Sequence, residues 1–510
     1  MIEEIDRLKS EIPAGEWEAT PESVRKVLEM LLSERKQMKQ KIEELEEKLN
    51  KNSKNSSIPP SKSGFGSKKE EKSQPKRKPR TITKPRTKPE QKVYEAAECQ
   101  ELNIHEQKPS NCSNCGYELT GEDWAPHRHQ VVDLPPVFKP IVDEYKLHEL
   151  ECEHCGEKTR ATLPVGVSAK SYGARLAAFV AFLSVESRQS HRQVQAFFSQ
   201  VFGIEISRGT INGIRQEVSA AIAEPTAAAI GYVQQQQVVN CDETGFSQQN
   251  RDGKNPTDKK AWIWVLVTPL VSVFIITLSR SQAVAKQLIG EAFAGFLGSD
   301  RYSSYSWVAG SQRQLCWAHL LRDFQAIADR PGVSGDTGAE LLKRGYRLFH
   351  WWHRVRDGTM SRELFIEAVK LLRIGLRREL EEVARLDIVI GEKTPLAKTI
   401  RTCRKLLQVE SAMWTFVERE HIEPTNNSAE QALRGAVIWR GLSFGSQSQA
   451  GSEFVARMLT VNRSLKSQGR SILDFLTDAC FAYRVGGTPP SLIPPPQTPS
   501  TAISQTLIIS

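Results

Sequence analysis

Uninterrupted hydrophobicity is scarce in this 510-residue sequence. The first apolar residues are broken by Glu, Asp and Lys, so no secretory leader is expected. One stretch, 261–278, is apolar enough to suggest a membrane span. Pro269 lies at its middle, however, with Val, Ile, Trp and Phe on both sides. Two buried β-strands joined by a tight turn account for it better. Cysteine is also sparse, at nine residues. In a reducing compartment these point to metal binding or burial and not to a disulfide framework. The expectation is a soluble intracellular protein with no membrane partner. Acidic residues almost vanish from 51–92, where 14 Lys/Arg face 3 Asp/Glu. The formal charge of the whole chain is +9, so the rest of it carries about −2. Such a local basic run reads as a tether for a polyanion such as nucleic acid, the plainer alternative being a solvated linker.

At roughly 100–200 residues per domain the length implies three or four units. The 39% hydrophobic content is enough for at least one sizeable core. Residues 1–50 read as helical. Leu28, Leu31, Met38, Ile42, Leu45 and Leu49 alternate in steps of three and four, interrupted by Arg35, which is about three heptads of coiled coil. Self-association through this helix is expected, against the alternative of an amphipathic helix packed on its own domain. Residues 51–108 read as a basic disordered linker and 109–160 as a small cysteine-bearing module. Residues 169–230 are helical and Ala-rich. Within them a helix, a turn containing Gly203 and a second helix from about Ser207 resemble a helix-turn-helix, although ordinary αα-hairpins share that pattern.

From Gln236 the pattern changes to β-β-β-α-β-α. A strand ends at Asp242, two more cross 262–277, and a helix covers 281–293. A short strand then ends at Asp300, and a strand–helix pair follows in RQLCWAHLLRDFQAIA. This is the order of a ribonuclease-H-like core, assigned to 234–334 and 421–485. A helical insertion over 335–420 precedes a last core helix beginning near Asn427, and 486–510 read as a disordered tail. The expected fold class is therefore multidomain α/β. Its ribonuclease-H-like core with a helical insertion is preceded by a coiled-coil helix, a zinc ribbon and a helical DNA-binding region.

Two groups of residues carry chemistry. Cys112-Ser-Asn-Cys115-Gly116 and Cys152-Glu-His-Cys155-Gly156 are paired C-x-x-C-G knuckles, suited to a tetrahedral Zn²⁺ with four thiolates and no open position, hence structural. The second group is Asp242, Asp300 and Glu430. Carboxylates at the ends of neighbouring strands can share a hard cation such as Mg²⁺ or Mn²⁺, and a third from a helix completes a two-metal site for displacement at phosphorus. Each also has a structural reading. Asp242 can shape a turn, Asp300 can cap a helix, and Asn427 with Glu430 can form a capping box. Glu243 falls on the opposite face of its strand. Asn427, Glu430 and Arg434 share one helix face, and Arg440 further along is expected to face a DNA backbone. His319 and Arg322 lie near the core as candidate DNA contacts, with a satisfied core histidine as the alternative. Arg208 and Thr210 would begin the recognition helix.

With NSSIPPSKS, the two knuckles, VVDLPP, SRGTI, CDETGF, SDRYSSY, CWAHLLRDF and NNSAEQALR in this order, the chain resembles the insertion sequence 66 family of transposases, in the DDE group. The resemblance covers nearly the whole chain, with Gln431 where related sequences carry Arg. It implies Asp242, Asp300 and Glu430 as the catalytic triad, and a zinc domain that helps recognise transposon ends. The implied activity is cleavage at terminal inverted repeats and transfer of the freed 3′-hydroxyl to target DNA. The implied setting is the bacterial cytoplasm and nucleoid, with small accessory proteins of the same element as further partners. The alternative is a zinc-containing DNA-binding regulator, or a catalytically dead copy, in which the carboxylates are turn and cap residues.

Overall fold

The computed structural model describes residues 19–49, 95–98, 102–124, 127–135 and 138–495. Most of the expected basic linker and the end of the tail lie outside the described residues. Helix α1 (Glu22–Leu49) is continuous. Its seam residues Leu28, Leu31, Met38, Ile42 and Leu45 are all exposed. The cysteine module contains one antiparallel hairpin, β1 (Glu149–Glu151) with β2 (Lys158–Arg160).

The remainder is a mixed α/β assembly. Four helices come first: α2 (Ala174–Val185), α3 (His191–Phe202), α4 (Arg208–Ala221) and α5 (Ala223–Gln234). The junction between α3 and α4 forms as its sequence predicts. Gly203 closes α3 with φ of 64°, a left-handed conformation that glycine adopts without steric cost. Ser207 caps α4 by accepting the Thr210 N–H. A five-stranded sheet follows, built from β3 (Val238–Phe246), β4 (Ala261–Val267), β5 (Ser272–Thr277), β6 (Phe296–Ser299) and β7 (Arg313–Leu315). Its order is β5-β4-β3-β6-β7. β4 is antiparallel to both β3 and β5, whereas β3, β6 and β7 run parallel.

β4, reading AWIWVLV, is buried along nearly its whole length, as expected for a strand with layers on both faces. β5 is an edge strand. Helix α13 (Gln449–Ser467) covers that edge, the hydroxyls of Ser464 and Thr460 accepting the Ser272 and Phe274 N–H groups at 3.0 and 2.9 Å. One continuous apolar core joins α2–α5 to the sheet, to α6 (Gln282–Ile289), and to α12 (Asn427–Ser443), α13 and α14 (Ile472–Val485). Leu492 is fully buried in it, and its carbonyl accepts from the Gln468 amide. The chain beyond Gly486 is thus held as far as Leu492, where a disordered tail was expected, because an apolar side chain there finds a site in the core.

A second core belongs to the segment after β7. α7 (Trp317–Ala328), α8 (Val333–Arg356), α9 (Arg362–Ala384), α10 (Pro395–Gln408) and the short α11 (Thr415–Glu418) pack around Trp317, Phe324, Phe365, Trp414 and Phe416. The insertion is keyed to the sheet. Gln314 on β7 accepts from the Phe416 N–H, the Thr415 hydroxyl donates to the Arg313 carbonyl, and the Trp317 indole donates to the Met413 carbonyl.

Three local expectations need correction. β3 does not stop at Asp242. It runs to Phe246 because β4 continues to pair with it out to Phe246↔Ala261. The helix after β5 ends at Ile289, where Gly290 terminates it, and does not reach 293. No capping box forms between Asn427 and Glu430, because Asn426 occupies the cap position and makes no side-chain cap bond.

Candidate active site

The sheet register brings the two aspartates together. β3 pairs in parallel with β6 up to Asn240↔Gly298. Two residues further along each strand stand Asp242 and Asp300. The strands meet closely here: a Cβ on Gly298 would lie 2.2 Å from Asn240 Oδ1. Asp300 follows β6 directly. Its carboxylate accepts the Tyr302 N–H at 2.8 Å, and its carbonyl accepts from the buried Arg313 at 2.6 Å. Asp242 accepts the Glu243 N–H at 2.9 Å.

Glu430 arrives from the other side of the insertion. The loop before α12 is anchored at both strand ends. The Asn426 N–H donates to Cys316 Sγ at 3.2 Å and its amide donates to the Cys241 carbonyl at 2.8 Å. Pro424 accepts the Trp317 N–H. The first turn of α12 is thereby fixed above β3 and β7, with Glu430 half-buried. Its Oε1 lies 3.5 Å from Arg322 Nη2 and 3.5 Å from His319 Nδ1.

The electrostatics record the convergence. Burial pushes the Asp242 carboxyl well above the usual carboxylate range, and the charges of Glu243, Asp300 and Glu430 push it further. A buried carboxyl raised by its acidic neighbours fits a divalent cation. Among the described residues, one group of three has its ligand atoms all within 4.8 Å of one another, and it is Cys316, His319 and Glu430. The three carboxylates share a field but are not gathered that tightly, and neither are the four knuckle thiols. Each knuckle is nevertheless formed on its own. Gly116 and Gly156 take φ of 74° and 72°, and their N–H groups donate to the Cys112 and Cys152 carbonyls at 2.9 and 2.8 Å. Backbone N–H groups of Cys115 and Cys155 lower the Cys112 and Cys152 thiols from their ordinary values.

Glu243 and His319, together with Arg280, Tyr305, Arg301 and Asp323 that sequence reasoning passed over, lie around the aspartates. Glu243 does point away from Asp242, but into a buried network. Its side chain accepts from Arg280 Nε at 2.7 Å and from the Tyr305 hydroxyl. Arg280 in turn lies over the rings of Tyr302 and Trp262, at 3.5 and 4.7 Å. An acid at an apolar-face position of a buried strand was the available signal, since such a group requires a partner. Asp323 is held by Arg301 at 2.8 and 2.5 Å. His319 is largely buried, and its Nδ1 has no hydrogen-bond partner. Burial and Arg322 lower its pKa, while Glu430, Asp300 and Asp323 oppose the shift.

The remaining candidates are dispersed. Arg208 is exposed at the start of α4, and Thr210 shares a hydrogen bond with the Ser207 hydroxyl at 2.9 Å. Asn427 and Arg434 are exposed on α12. Arg440 does not project toward a ligand as expected. It is tied to β3, donating to Thr244 Oγ1 at 3.1 Å and to the Gly245 carbonyl.

The model of the transposase IS66 family matches residues 170–454, from α2 into α13 and through the whole sheet and insertion. The chain belongs to the IS66 transposase family. A family of unknown function, DUF6444, matches residues 4–98. Two uncharacterized proteins of Sinorhizobium fredii (strain NBRC 101917 / NGR234) are similar along most of the chain. Protein y4qI is 24% identical over 402 residues, 73% of this chain and 70% of that protein. Protein y4hP is 23% identical over 388 residues, 69% of this chain and 67% of that protein. The three carboxylates and the CWAH segment all fall inside the span matched by the IS66 model. No helix among the described residues is long and apolar enough to cross a membrane.

Proposed function

We propose that this IS66-family chain is a DDE-type transposase that cleaves transposon ends and transfers the 3′-hydroxyl to target DNA. One observation carries the reading: Asp242 and Asp300 each lie two residues past the last parallel pair of β3 and β6, and the charges of Asp300 and of Glu430 on α12 both act on Asp242. The sheet supports it too. Taken in chain order, its strands lie 3-2-1-4-5 with the second antiparallel to the first, as in a ribonuclease-H-like core.

Asp242, Asp300 and Glu430 would hold Mg²⁺ or Mn²⁺. Bound there, such ions stabilise charge on the attacking and leaving oxygens of an in-line displacement. The protein's own contribution is placement. Arg313 fixes the backbone at Asp300, Asn426 fixes the approach of α12, and the Glu243–Arg280 pair holds β3 beside the site. Arg322 and His319, next to Glu430, and Asn427 and Arg434, on the open face of α12, would contact the DNA backbone. No covalent protein–DNA link is required, so no Ser or Tyr nucleophile is assigned. Arg208 and Thr210 would meet DNA from α4. Cys112, Cys115, Cys152 and Cys155 would close around one structural Zn²⁺, each knuckle already presenting its thiols from one turn. The exposed seam of α1 would pair protomers, which suits a reaction at two DNA ends. The setting is the bacterial cytoplasm and nucleoid, with accessory proteins of the same element as further partners.

The test is metal-dependent nicking and joining of a duplex carrying the inverted repeats that flank the gene. Wild type is expected to give nicked and joined products and Asp300→Ala neither. Equal activity in the two, or none in wild type, would overturn the proposal. Nicking without joining would reduce it to a nuclease.

A further inference from the structure

In the group formed by Cys316, His319 and Glu430, the chemistry above uses the glutamate as a metal ligand and His319 as a DNA contact, and leaves Cys316 without a role. Cys316 caps α7 and His319 lies three residues on, so one helical turn presents both side chains to Glu430 across the gap to α12. Their ligand atoms all lie within 4.8 Å of one another. Tetrahedral zinc with sulfur, nitrogen and oxygen donors needs ligand separations of roughly 3.3–3.6 Å. His319 Nδ1 and Glu430 Oε1 are already 3.5 Å apart. The His319 Nδ1 atom is buried with no hydrogen-bond partner, a state that costs free energy unless something binds there. Arg322 adds one positive charge nearby, against the carboxylates of Glu430, Asp300 and Asp323 acting on the same imidazole.

We propose that Cys316, His319 and Glu430 form a binding site for a thiophilic divalent transition-metal ion such as Zn²⁺, distinct from the cysteine knuckles and overlapping the carboxylate set at Glu430 alone. The donor set decides the class of ion. Mg²⁺ takes oxygen ligands and does not recruit a thiol, whereas Zn²⁺ and Cd²⁺ bind thiolate and imidazole strongly. On binding, the Cys316 thiol releases its proton to solvent and the metal–sulfur bond takes its place. Three protein ligands leave a fourth position for water. If Glu430 has the role proposed above, the ion withdraws it from the carboxylate set, and zinc opposes magnesium through one shared glutamate.

The experiment is a Cd²⁺ titration of the full-length protein, read by thiolate-to-metal charge-transfer absorbance in the ultraviolet. The knuckle cysteines contribute equally in wild type and Cys316→Ser, so the difference isolates this site. Wild type is expected to bind one more Cd²⁺ per chain than Cys316→Ser, with a matching loss of absorbance in the variant. Glu430→Gln, altered at a half-exposed position, is expected to bind that extra ion at least tenfold more weakly, which guards against misfolding of the serine variant. Identical stoichiometry and absorbance in wild type and both variants would overturn the site. An extra ion lost with Cys316 supports it even in a protein that nicks no DNA, so the two proposals fail separately.

Discussion

Replacing Asp242 with asparagine is expected to stabilise the metal-free protein. The Asp242 carboxyl is raised by burial and then by Glu243, Asp300 and Glu430. An acid whose folded pKa lies above its unfolded value, near 3.9 for Asp, binds protons more tightly when folded. Its ionisation therefore costs stability, starting as pH rises past the unfolded value and reaching its full extent above the folded one. Asparagine has nearly the same shape and keeps the acceptor for the Glu243 N–H. Relief of such functional-site repulsion commonly gives about 1 kcal/mol, or roughly 2–4 °C in melting temperature for a unit of this size. Mg²⁺ should act the other way. At ten times its Kd it would stabilise wild type by about 1.4 kcal/mol, and the asparagine variant far less. Thermal melts of both proteins at pH 7.5, with and without Mg²⁺, read both effects. A variant that melts lower without Mg²⁺, or an equal Mg²⁺ response in the two proteins, would refute the reasoning.

Three further outcomes follow from the same geometry. Arg484 on α14 and Glu217 on α4 form a nearly inaccessible pair, 2.6 Å apart with side chains 6% and 10% exposed. Arg484→Met should cost about 3–5 kcal/mol by leaving Glu217 buried without its partner, and the Arg484→Met/Glu217→Leu double variant should cost less, both read by urea denaturation. His191 is lowered to about 4 by burial and by Arg215 and Arg208. The unfolded chain then takes up the proton first, so stability is intact above about 6.5 and declines toward 4. His191→Gln should flatten that part of a melting-temperature profile against pH. Ile42→Glu, in the exposed seam of α1, should shift full-length protein toward monomer in sedimentation velocity and leave the melting of the α/β assembly unchanged.

The α/β alternation, the turn at Pro269 and the placement of Asp300 just past a short strand were all legible, because apolar runs and turn residues are local signals. The length of β3 was not. Asp-Glu-Thr-Gly reads as a turn, and only its pairing with β4 keeps it extended to Phe246. The two helices after α12 carry apolar residues that fit any helical layer, and nothing local says that α13 seals the edge of β5. Arg440 illustrates the same limit. Its position on α12 is readable from the sequence, but its bonds to Thr244 and Gly245 depend on how that helix lies over the sheet. In CWAH the spacing of Cys316 and His319 on one turn is visible, but their approach to Glu430 is set by the insertion folding back through Pro424 and Asn426. The two cysteine knuckles were legible singly, since each is one tight turn closed by a glycine.

The central claim is that Asp242, Asp300 and Glu430 hold hard divalent cations together. Mn²⁺ binding followed by electron paramagnetic resonance tests it most directly, because the signal of the free ion falls as sites fill. Wild type should take up Mn²⁺ at a site or pair of sites that Asp242→Asn, Asp300→Ala and Glu430→Gln each weaken at least tenfold. Uptake unchanged in all three variants would contradict the claim.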